Sequence, residues 1–225
     1  MVVSSKDDGT PRQTVNVGLQ PQNRHFVRQT HHVASPFQLA DRVRQGMKKT
    51  VTDAGNGYHS VPIREEDRHF TTFITPWGCY RYKVAPQGFM ASGDAYNQHF
   101  DAIISNFNDK VKCVDDTCMW AKSIEAAFFQ ACEWLHLCAR NSITLNRKKF
   151  QFAQDTVYFA GLTITETNIQ QSTNFLDAIS NFPTPTDITS ARAWFGLINH
   201  GAYAFSMARK MKTSFETIHD ILLDR

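Results

Sequence analysis

The 225-residue chain lacks several features that would restrict its function at once. Its five cysteines form an odd set without a Cys-x-x-Cys pair, which argues against a disulfide framework or a zinc ribbon and predicts reduced, mostly buried thiols. No apolar run approaches the ~20 residues of a membrane-spanning helix. The amino-terminal sequence also lacks the basic and then apolar layout of a secretory signal. We therefore expect an intracellular protein, cytoplasmic or nuclear, without a membrane partner.

A strong charge of either sign is also lacking. The net charge of +3 permits a nucleic-acid partner but does not argue for one, because nucleic-acid-binding modules are usually more basic. The 42% of hydrophobic residues and 20% of charged residues are ordinary for a globular protein, and the length suffices to bury a core. Composition therefore leaves the function open.

The predicted strands lie in groups separated by turn signals. Residues 1–46 are polar and turn-rich, and Asp8-Gly9 with Thr10-Pro11 predicts a hairpin tip. The β-prone segments are Thr50–Asp53, Tyr58–Ile63, Phe70–Thr75, Tyr80–Val84, Lys110–Val114, Thr117–Ala121, Ile143–Leu145 and Val157–Ile164. The segment from position 50 to 85 thus predicts an antiparallel meander.

Helical periodicity appears between these groups. One helix is predicted with Ser92 as its N-cap, and a last helix follows Pro185 with Asp187 or Thr189 as its cap. Another begins after Ser123, and its predicted apolar face comprises Ile124, Ala127, Phe128, Ala131, Leu135 and Cys138. The order of elements predicts an α+β fold with helices on one face of an antiparallel sheet. Palm-type polymerase domains and other ferredoxin-like domains share that order.

The acidic pair Asp115-Asp116 is the most informative feature of the sequence. It lies between two short apolar segments that are predicted to form a hairpin. Carboxylates at such a tip must face water, a basic partner or a cation, because an unpaired buried charge is costly. Aspartate is common in turns anyway, so the pair taken alone also fits an ordinary turn.

Asp53 strengthens the interpretation of a cation site. It ends a β-branched run and is followed by Ala-Gly-Asn-Gly, whose small residues let a ligand approach the backbone. If this strand pairs beside the 110–121 hairpin, three carboxylates meet at one sheet edge. Such oxygen ligands suit Mg²⁺, and two ions can support an in-line phosphoryl displacement. The alternative is that Asp53 only caps a turn.

A series of ordered motifs resembles one protein family. The motifs are KDDGTPR, DAGNGYHSVPIREEDRHFTTFITPWG, VAPQGFMASG, CVDD, LNRKKFQF, FAGLTI and AISNFPTPTDITSARAWFGLIN. Each motif alone is weak, but the ordered set resembles the reverse transcriptases of gypsy-like long-terminal-repeat retrotransposons over nearly the whole chain. The resemblance implies a polymerase palm with partial fingers and the start of a thumb.

The resemblance implies catalytic and metal-binding roles for the acidic residues. Asp53, Asp115 and Asp116 match the aspartates that hold two Mg²⁺ ions in the family, with Mn²⁺ as an alternative cofactor. Lys149 matches a lysine thought to protonate the departing pyrophosphate, although the adjacent Lys148 blurs the match and a solvated charge pair is the alternative. Each of these roles is an expectation that depends on the family match.

The resemblance also implies residues that bind the nucleotide. Tyr58 matches an aromatic residue that crowds the sugar and disfavours a 2′-hydroxyl, and its alternative is a half-buried strand tyrosine. Arg12 matches a fingers residue that clamps the triphosphate, with a solvated loop as the alternative. Backbone amides near Asn56 and Gly57 would lie beside the same triphosphate. Gln87 and Gly88 match a loop that lines the nucleotide and template site, where a plain helix entry is the alternative.

The remaining matches concern the primer and the domain limits. Phe159, Ala160 and Gly161 match the strand that grips the primer end, and core packing is their alternative role. The implied domains are partial fingers at 1–46, palm strands with the fingers-palm junction at 47–91, palm with catalytic hairpin and primer grip at 92–165, and the start of the thumb or connection at 166–225. Two departures from the family are Cys113, where an aromatic residue is usual, and Asn16, where aspartate is usual.

The resulting hypothesis is an RNA-directed DNA polymerase core that adds deoxynucleotides to a primer 3′-hydroxyl. Its partners would be an RNA or DNA template with a primer and deoxynucleoside triphosphates. The resemblance also implies a polyprotein whose remaining thumb, ribonuclease H and integrase segments are missing from this chain. One alternative is a non-catalytic, retroelement-derived module that folds and binds nucleic acid. Another is an RNA-templated RNA polymerase, which Tyr58 argues against.

Overall fold

The computed structural model describes residues 2–5, 9, 11–14, 30–55 and 57–201. Its strands are β1 (Val2–Ser5), β2 (Pro11–Thr14), β3 (Lys48–Asp53), β4 (Phe73–Thr75), β5 (Gly78–Tyr80), β6 (Lys110–Cys113), β7 (Asp116–Ala121), β8 (Gln151–Gln154), β9 (Val157–Phe159), β10 (Leu162–Ile164) and β11 (Ile169–Gln171). Its α-helices are α1 (Pro36–Ala40), α2 (Ser92–Ile104), α3 (Ile124–Arg140), α4 (Thr173–Ser180) and α5 (Ile188–Gly201). Short 3-10 helices cover Gly57–Ser60, Glu65–Thr71 and Arg147–Lys149. The mixture confirms the predicted α+β class.

A four-stranded sheet forms the centre of the fold. Its strand order is β6-β7-β3-β8, and each neighbouring pair is antiparallel. Along the chain these strands alternate with two helices in the order β3-α2-β6-β7-α3-β8, which is the ferredoxin-like arrangement. The predicted antiparallel, ferredoxin-like sheet is therefore confirmed.

Strand alternation divides the interior between the two faces of this sheet. On β7, Met119 packs with α2 and α3 in one cluster, whereas Cys118 and Trp120 pack with α1, β9 and β10 in the other. Helices α2 and α3 thus share one face, as predicted. The opposite face is covered by α1 and by a second antiparallel sheet of order β11-β10-β9.

The buried face of α3 differs from the predicted one. The buried residues of this helix are Ala127, Ala131, Trp134 and Cys138. Ile124, Phe128 and Leu135 are 58%, 55% and 47% exposed, so their predicted burial was wrong. The physical reason is Trp134, whose ring packs against Phe100 and Phe107 and thereby fixes which stripe of the helix faces the sheet.

Two predicted strands have another conformation in the structure. The first half of Tyr58–Ile63 belongs to the 3-10 helix, where Ser60 Oγ donates to the Gly57 carbonyl at 2.6 Å and competes with strand pairing. The segment Val157–Ile164 is two strands, β9 and β10, because Ala160 and Gly161 adopt φ values of 48° and 86° and turn the chain. The single long strands predicted here were wrong.

Several smaller features also correct or confirm the sequence interpretation. Ile143–Leu145 contributes only an isolated bridge between Leu145 and Ala54. The meander predicted from position 50 to 85 is not one sheet, because β3 belongs to the central sheet whereas β4 and β5 pair in a sheet of their own.

The helix caps also differ in part from the prediction. Ser92 lies inside α2 and its hydroxyl donates to the Pro86 carbonyl at 2.8 Å instead of capping the helix. Asp187 does cap α5, since its Oδ1 accepts from the Ser190 amide at 2.7 Å. Helix α4 was not predicted.

The amino-terminal hairpin agrees with the sequence prediction, whereas the burial of the cysteines does not. Strands β1 and β2 pair antiparallel, as the turn signals between them predict. All five cysteines are free thiols, but only Cys118 and Cys138 are buried, so the prediction of mostly buried thiols was wrong. In the described part of the chain, no helix combines the length and apolar character needed to cross a membrane.

Candidate active site

Three aspartates meet at one end of the central sheet. Asp53 ends β3 and is the Cα partner of Asp116, which begins β7. Asp115 precedes Asp116 in the turn of the β6–β7 hairpin, and its carbonyl oxygen accepts from the Ala54 amide at 2.8 Å. Residues that are distant in the sequence are thus joined by strand pairing and by a backbone hydrogen bond.

The turn that carries Asp115 has an unusual backbone. Cys113 pairs with Asp116, so that Val114 and Asp115 alone connect β6 to β7. Val114 adopts a φ of 53°, a left-handed conformation that is rare for a β-branched residue. The ladder on both sides holds the turn in this conformation.

Burial and the charge of Asp53 disfavour the ionised forms of Asp115 and Asp116. Burial raises the pKa of Asp115, and the negative charge of Asp53 raises it further. Burial, followed by the charge of Asp53, raises the pKa of Asp116 to about 6. Within the described residues, Asp115 Oδ1 is buried and no donor meets it in ordinary hydrogen-bond geometry, although the Tyr96 hydroxyl faces the carboxylate and lowers its pKa in part. The site therefore concentrates negative charge and leaves an acceptor unsatisfied.

Lys149 and Ala160 partly compensate this charge. Lys149 Nζ lies 2.6 Å from Asp53 Oδ2, and this hydrogen bond raises the pKa of the lysine. The Ala160 amide donates to Asp116 Oδ2 at 3.1 Å. Ala160 belongs to the β9–β10 turn, so this contact joins the predicted primer-grip segment to the acidic cluster.

The composition of the cluster fits a divalent cation. No group of three or more His, Cys, Asp and Glu side chains in the described chain has the arrangement of a preformed metal site. Asp53 accepts from Lys149 Nζ and Asp116 accepts from the Ala160 amide in this arrangement. Carboxylate oxygens are nevertheless the ligands that Mg²⁺ prefers. A cation would satisfy Asp115 Oδ1 and would offset the burial and the repulsion by Asp53 that raise both pKa values.

Tyr96 lies beneath the acidic cluster. Its side chain is fully buried, and burial together with the nearby charge of Asp115 raises its pKa above the usual range. The ring of Tyr58 lies edge-on to it, with a centroid distance of 5.5 Å. Gly57 also packs closely on the Tyr96 ring. Tyr96 therefore links the predicted nucleotide-binding residues Gly57 and Tyr58 to Asp115.

Gly57→Ala is predicted to destabilise the chain by about 1–3 kcal/mol, the usual range for overpacking a filled interior. A Cβ at this position would lie 2.5 Å from Tyr96 Cζ and 2.7 Å from the Tyr96 hydroxyl oxygen. Chemical denaturation measures the change in free energy of unfolding. Gly196→Ala is the matched control, because a Cβ there meets no atom within 4 Å and alanine favours the helix. Equal stability of both variants would contradict the close packing at Gly57.

The structure places the remaining candidate residues in different ways. Gln87 is half-buried and Gly88 is exposed, with a φ of 96°, in the turn that precedes α2. Phe159 is fully buried, so core packing is its observed role. Arg12 lies in β2 opposite Ser4, and its side chain is outside the described residues. Asn56, like Asn16, is also outside them.

Sequence reasoning missed several polar groups around the acidic turn. Lys112 of β6 contacts Asn97 and Asp101 of α2, and Tyr96 faces Asp115 from the same helix. The available signal was the alternation in the strand KVKC, which puts Lys112 on the opposite face of β6 from Val111 and Cys113. Helix α2 covers the face on which Lys112 lies. Only the packing of α2 shows that the lysine points inward.

Comparison with known proteins decides the family. Residues 12–164 match the family model described as reverse transcriptase (RNA-dependent DNA polymerase). The chain belongs to this reverse transcriptase family. The curated relatives include the enzymatic polyprotein of cauliflower mosaic virus (strain NY8153), which is 23% identical over 205 residues that cover 90% of the chain and 30% of the polyprotein. The Pol polyprotein from transposon 412 of Drosophila melanogaster is 23% identical over 164 residues, or 72% of the chain and 13% of the polyprotein.

Solved structures support the fold of this reverse transcriptase domain. A foamy viral protease-reverse transcriptase in complex with double-stranded DNA has a TM-score of 0.79 at 21% identity, covering 88% of this chain and 35% of that chain. The same kind of protein with an RNA/DNA hybrid has a TM-score of 0.73 at 22% identity, covering 88% of this chain and 27% of that chain. The predicted polymerase palm is thereby confirmed as a fold. The chain spans about a third or less of these relatives.

Proposed function

We propose that this reverse transcriptase domain is an RNA-directed DNA polymerase core that adds deoxynucleotides to a primer 3′-hydroxyl. The observation that carries the proposal is the meeting of Asp53, Asp115 and Asp116 at one end of the sheet, with Asp115 Oδ1 unsatisfied. Its substrates would be an RNA or DNA template with a primer and deoxynucleoside triphosphates. Foamy viral relatives in complex with double-stranded DNA and with an RNA/DNA hybrid support this class of partner.

The three aspartates would hold two Mg²⁺ ions, or Mn²⁺ in their place. Bound ions of this kind activate an attacking hydroxyl and stabilise the charge of phosphoryl transfer. The protein would contribute the orientation of Asp115 through the tight turn and of Asp116 through the Ala160 amide. Lys149 would protonate the departing pyrophosphate, since its ammonium lies 2.6 Å from Asp53 Oδ2 at the acidic cluster and its side chain is 60% exposed.

Other side chains would orient the nucleotide and the primer. Arg12 and the backbone amides near Asn56 and Gly57 would bind the triphosphate, and Gln87 with Gly88 would line the nucleotide and template site. The primer end would contact the segment Phe159-Ala160-Gly161, where the Phe159 side chain also packs in the core. The Ala160 amide is already directed at Asp116, which supports a primer position beside the acidic cluster.

Tyr58→Val is predicted to raise the use of ribonucleotides relative to deoxynucleotides by about 10- to 100-fold. The half-buried Tyr58 ring packs on Tyr96, which limits its freedom to move away from an added 2′-hydroxyl. Single-nucleotide extension gives kcat/KM for each substrate. Tyr80→Val, a change of an exposed tyrosine on β5, is the control and should leave the ratio unchanged. An unchanged ratio in Tyr58→Val would remove Tyr58 from sugar selection.

The proposed organisation follows the family resemblance. Partial fingers would occupy 1–46, the palm with its fingers-palm junction 47–91, the palm with catalytic hairpin and primer grip 92–165, and the start of the thumb or connection 166–225. The gypsy-like assignment is supported by the relative from transposon 412, an element of that type. In this proposal the chain acts within a longer Pol polyprotein that supplies the remaining thumb, ribonuclease H and integrase segments.

Primer extension tests the proposed function. The purified chain is incubated with a labelled primer on an RNA or DNA template, deoxynucleotides and Mg²⁺. We expect elongation on both templates, and we expect a chelator to stop it. Duplex binding without elongation would contradict the proposal and would favour a non-catalytic nucleic-acid-binding module.

A further inference from the structure

Lys112 is a buried lysine next to the acidic turn. Its side chain is 4% exposed, and it points from β6 toward α2. Lysine is almost never buried to this degree unless its charge is paired. The residue is therefore held in the interior by specific contacts, which the proposed chemistry does not use directly.

The Lys112 ammonium joins α2 to the catalytic hairpin. Its Nζ lies 2.8 Å from Asn97 Oδ1 and 3.1 Å from Asp101 Oδ1, both on α2. The same atom lies 3.5 Å from the carbonyl oxygen of Val114, in the turn before Asp115. An ammonium has three protons to share, so all three oxygens can be served at once.

Two aromatic rings lie near this ammonium, and its carboxylate partner Asp101 is itself held by another residue. Nζ lies 5.3 Å from the ring centroid of Phe100 and 5.8 Å from that of Tyr96, distances at which a cation is attracted to a ring. Asp101 is held from its other side by His31, whose Nε2 lies 2.7 Å from Asp101 Oδ2. The anchor of Lys112 on α2 is thus itself held in place.

The turn at Val114 needs such a support. Its left-handed backbone is strained for a residue with a branched side chain, and it immediately precedes Asp115, whose carbonyl oxygen accepts from the Ala54 amide next to Asp53. The buried ammonium of Lys112, 3.5 Å from the Val114 carbonyl oxygen, supports this conformation.

We propose that Lys112 is a positioning residue that holds the Val114-Asp115 turn against α2 and so sets the direction of the Asp115 carboxylate. The proposal rests on the proposed polymerase function for its kinetic consequences. It also predicts that loss of Lys112 weakens the binding of a divalent cation to the acidic cluster, even in the absence of any substrate. In this proposal Lys112 and its partners Asn97 and Asp101 act only through the turn and do not contact the reacting atoms.

The test compares Lys112→Met with Lys110→Met. Both lysines are on β6 and both donate to a backbone carbonyl, but Lys110 contacts Phe107 at the end remote from the acidic turn. The measurements are kcat and the nucleotide KM in primer extension, the affinity for Mn²⁺ by electron paramagnetic resonance, and the melting temperature. We expect Lys112→Met to lower kcat by about 10-fold or more and to weaken Mn²⁺ binding by about 10-fold, with little change in KM. Lys110→Met should retain both values.

The outcomes separate this proposal from the proposed function. If the unmodified chain does not extend a primer, the polymerase function fails, whereas the Mn²⁺ affinities still decide the role of Lys112. Equal kcat and Mn²⁺ affinity in the two variants would overturn the positioning role. If Lys112→Met does not fold, Asp101→Asn replaces it, since the change neutralises a partner whose side chain is 41% exposed. A smaller loss of kcat and Mn²⁺ affinity is then expected, and unchanged values would overturn the proposal.

Discussion

Asp115→Asn is expected to lower the rate of primer extension by on the order of 10³-fold, a loss typical of removing one group that stabilises charge in the transition state. The amide has nearly the same size as the carboxylate but carries no negative charge to hold a cation. Folding should survive, because burial and Asp53 already disfavour the charged form of Asp115. The free energy of unfolding should therefore be unchanged or slightly higher.

The measurement combines steady-state extension with denaturant unfolding of the same preparations. Asp109→Asn is the matched control, since Asp109 is an exposed aspartate that precedes β6 of the same hairpin. Its φ of 51° is one that asparagine also accepts, so neither extension nor stability should change. Normal extension by Asp115→Asn would remove Asp115 from the chemistry. A folding defect of several kcal/mol would instead assign it a structural role.

Phe159→Ala is expected to reduce the free energy of unfolding by about 3–5 kcal/mol, the usual cost of emptying a buried phenylalanine site. The Phe159 side chain is fully buried between the second sheet and the central sheet, where it packs in the cluster that contains Val51 and Cys118. Its loss would open a cavity behind the strand that ends at Asp53. A domain that is marginally stable would lose much of its folded population.

The control for this prediction is the neighbouring residue. Tyr158 points to the other side of β9 and is 52% exposed, so Tyr158→Ala should change the free energy of unfolding by less than about 1 kcal/mol. Thermal and chemical denaturation of both variants measure the difference. If Phe159→Ala lost less than Tyr158→Ala, the assignment of Phe159 to the core would be wrong, and a direct contact with the primer would become the better explanation.

The elements around the acidic cluster were predictable from the sequence because local preference and tertiary structure agree there. β3, β6 and β7 are β-prone segments, and the acidic pair stands where a turn was expected. The buried face of α3 was not predictable in the same way. Several stripes of that helix are apolar, and contact of Trp134 with Phe100 selects one of them.

Backbone details explain the other differences. The alternation of Tyr58–Ile63 predicts a strand, but the hydrogen bond from Ser60 to Gly57 closes a helical turn instead. The interruption between β9 and β10 depends on the left-handed conformation of Ala160, which alanine seldom adopts. No local pattern in the sequence indicates that conformation.

The candidate site was predictable in its acidic residues and not in their surroundings. The position of Asp53 beside Asp116 follows from strand pairing, which the β-prone pattern suggests. The contacts of Lys112 and Tyr96 with the turn depend on how α2 lies on the sheet, and a single sequence does not encode that placement in any short motif. Phe159, which the family resemblance assigns to the primer grip, also packs in the core, and its contact with a primer stays a prediction.

Anomalous diffraction from crystals soaked in Mn²⁺ tests the central claim most directly. The account predicts anomalous density between Asp53, Asp115 and Asp116 in the unmodified protein, and loss of that density in Asp115→Asn. Mn²⁺ bound elsewhere, or an acidic cluster that stays without density at saturating Mn²⁺, would contradict it.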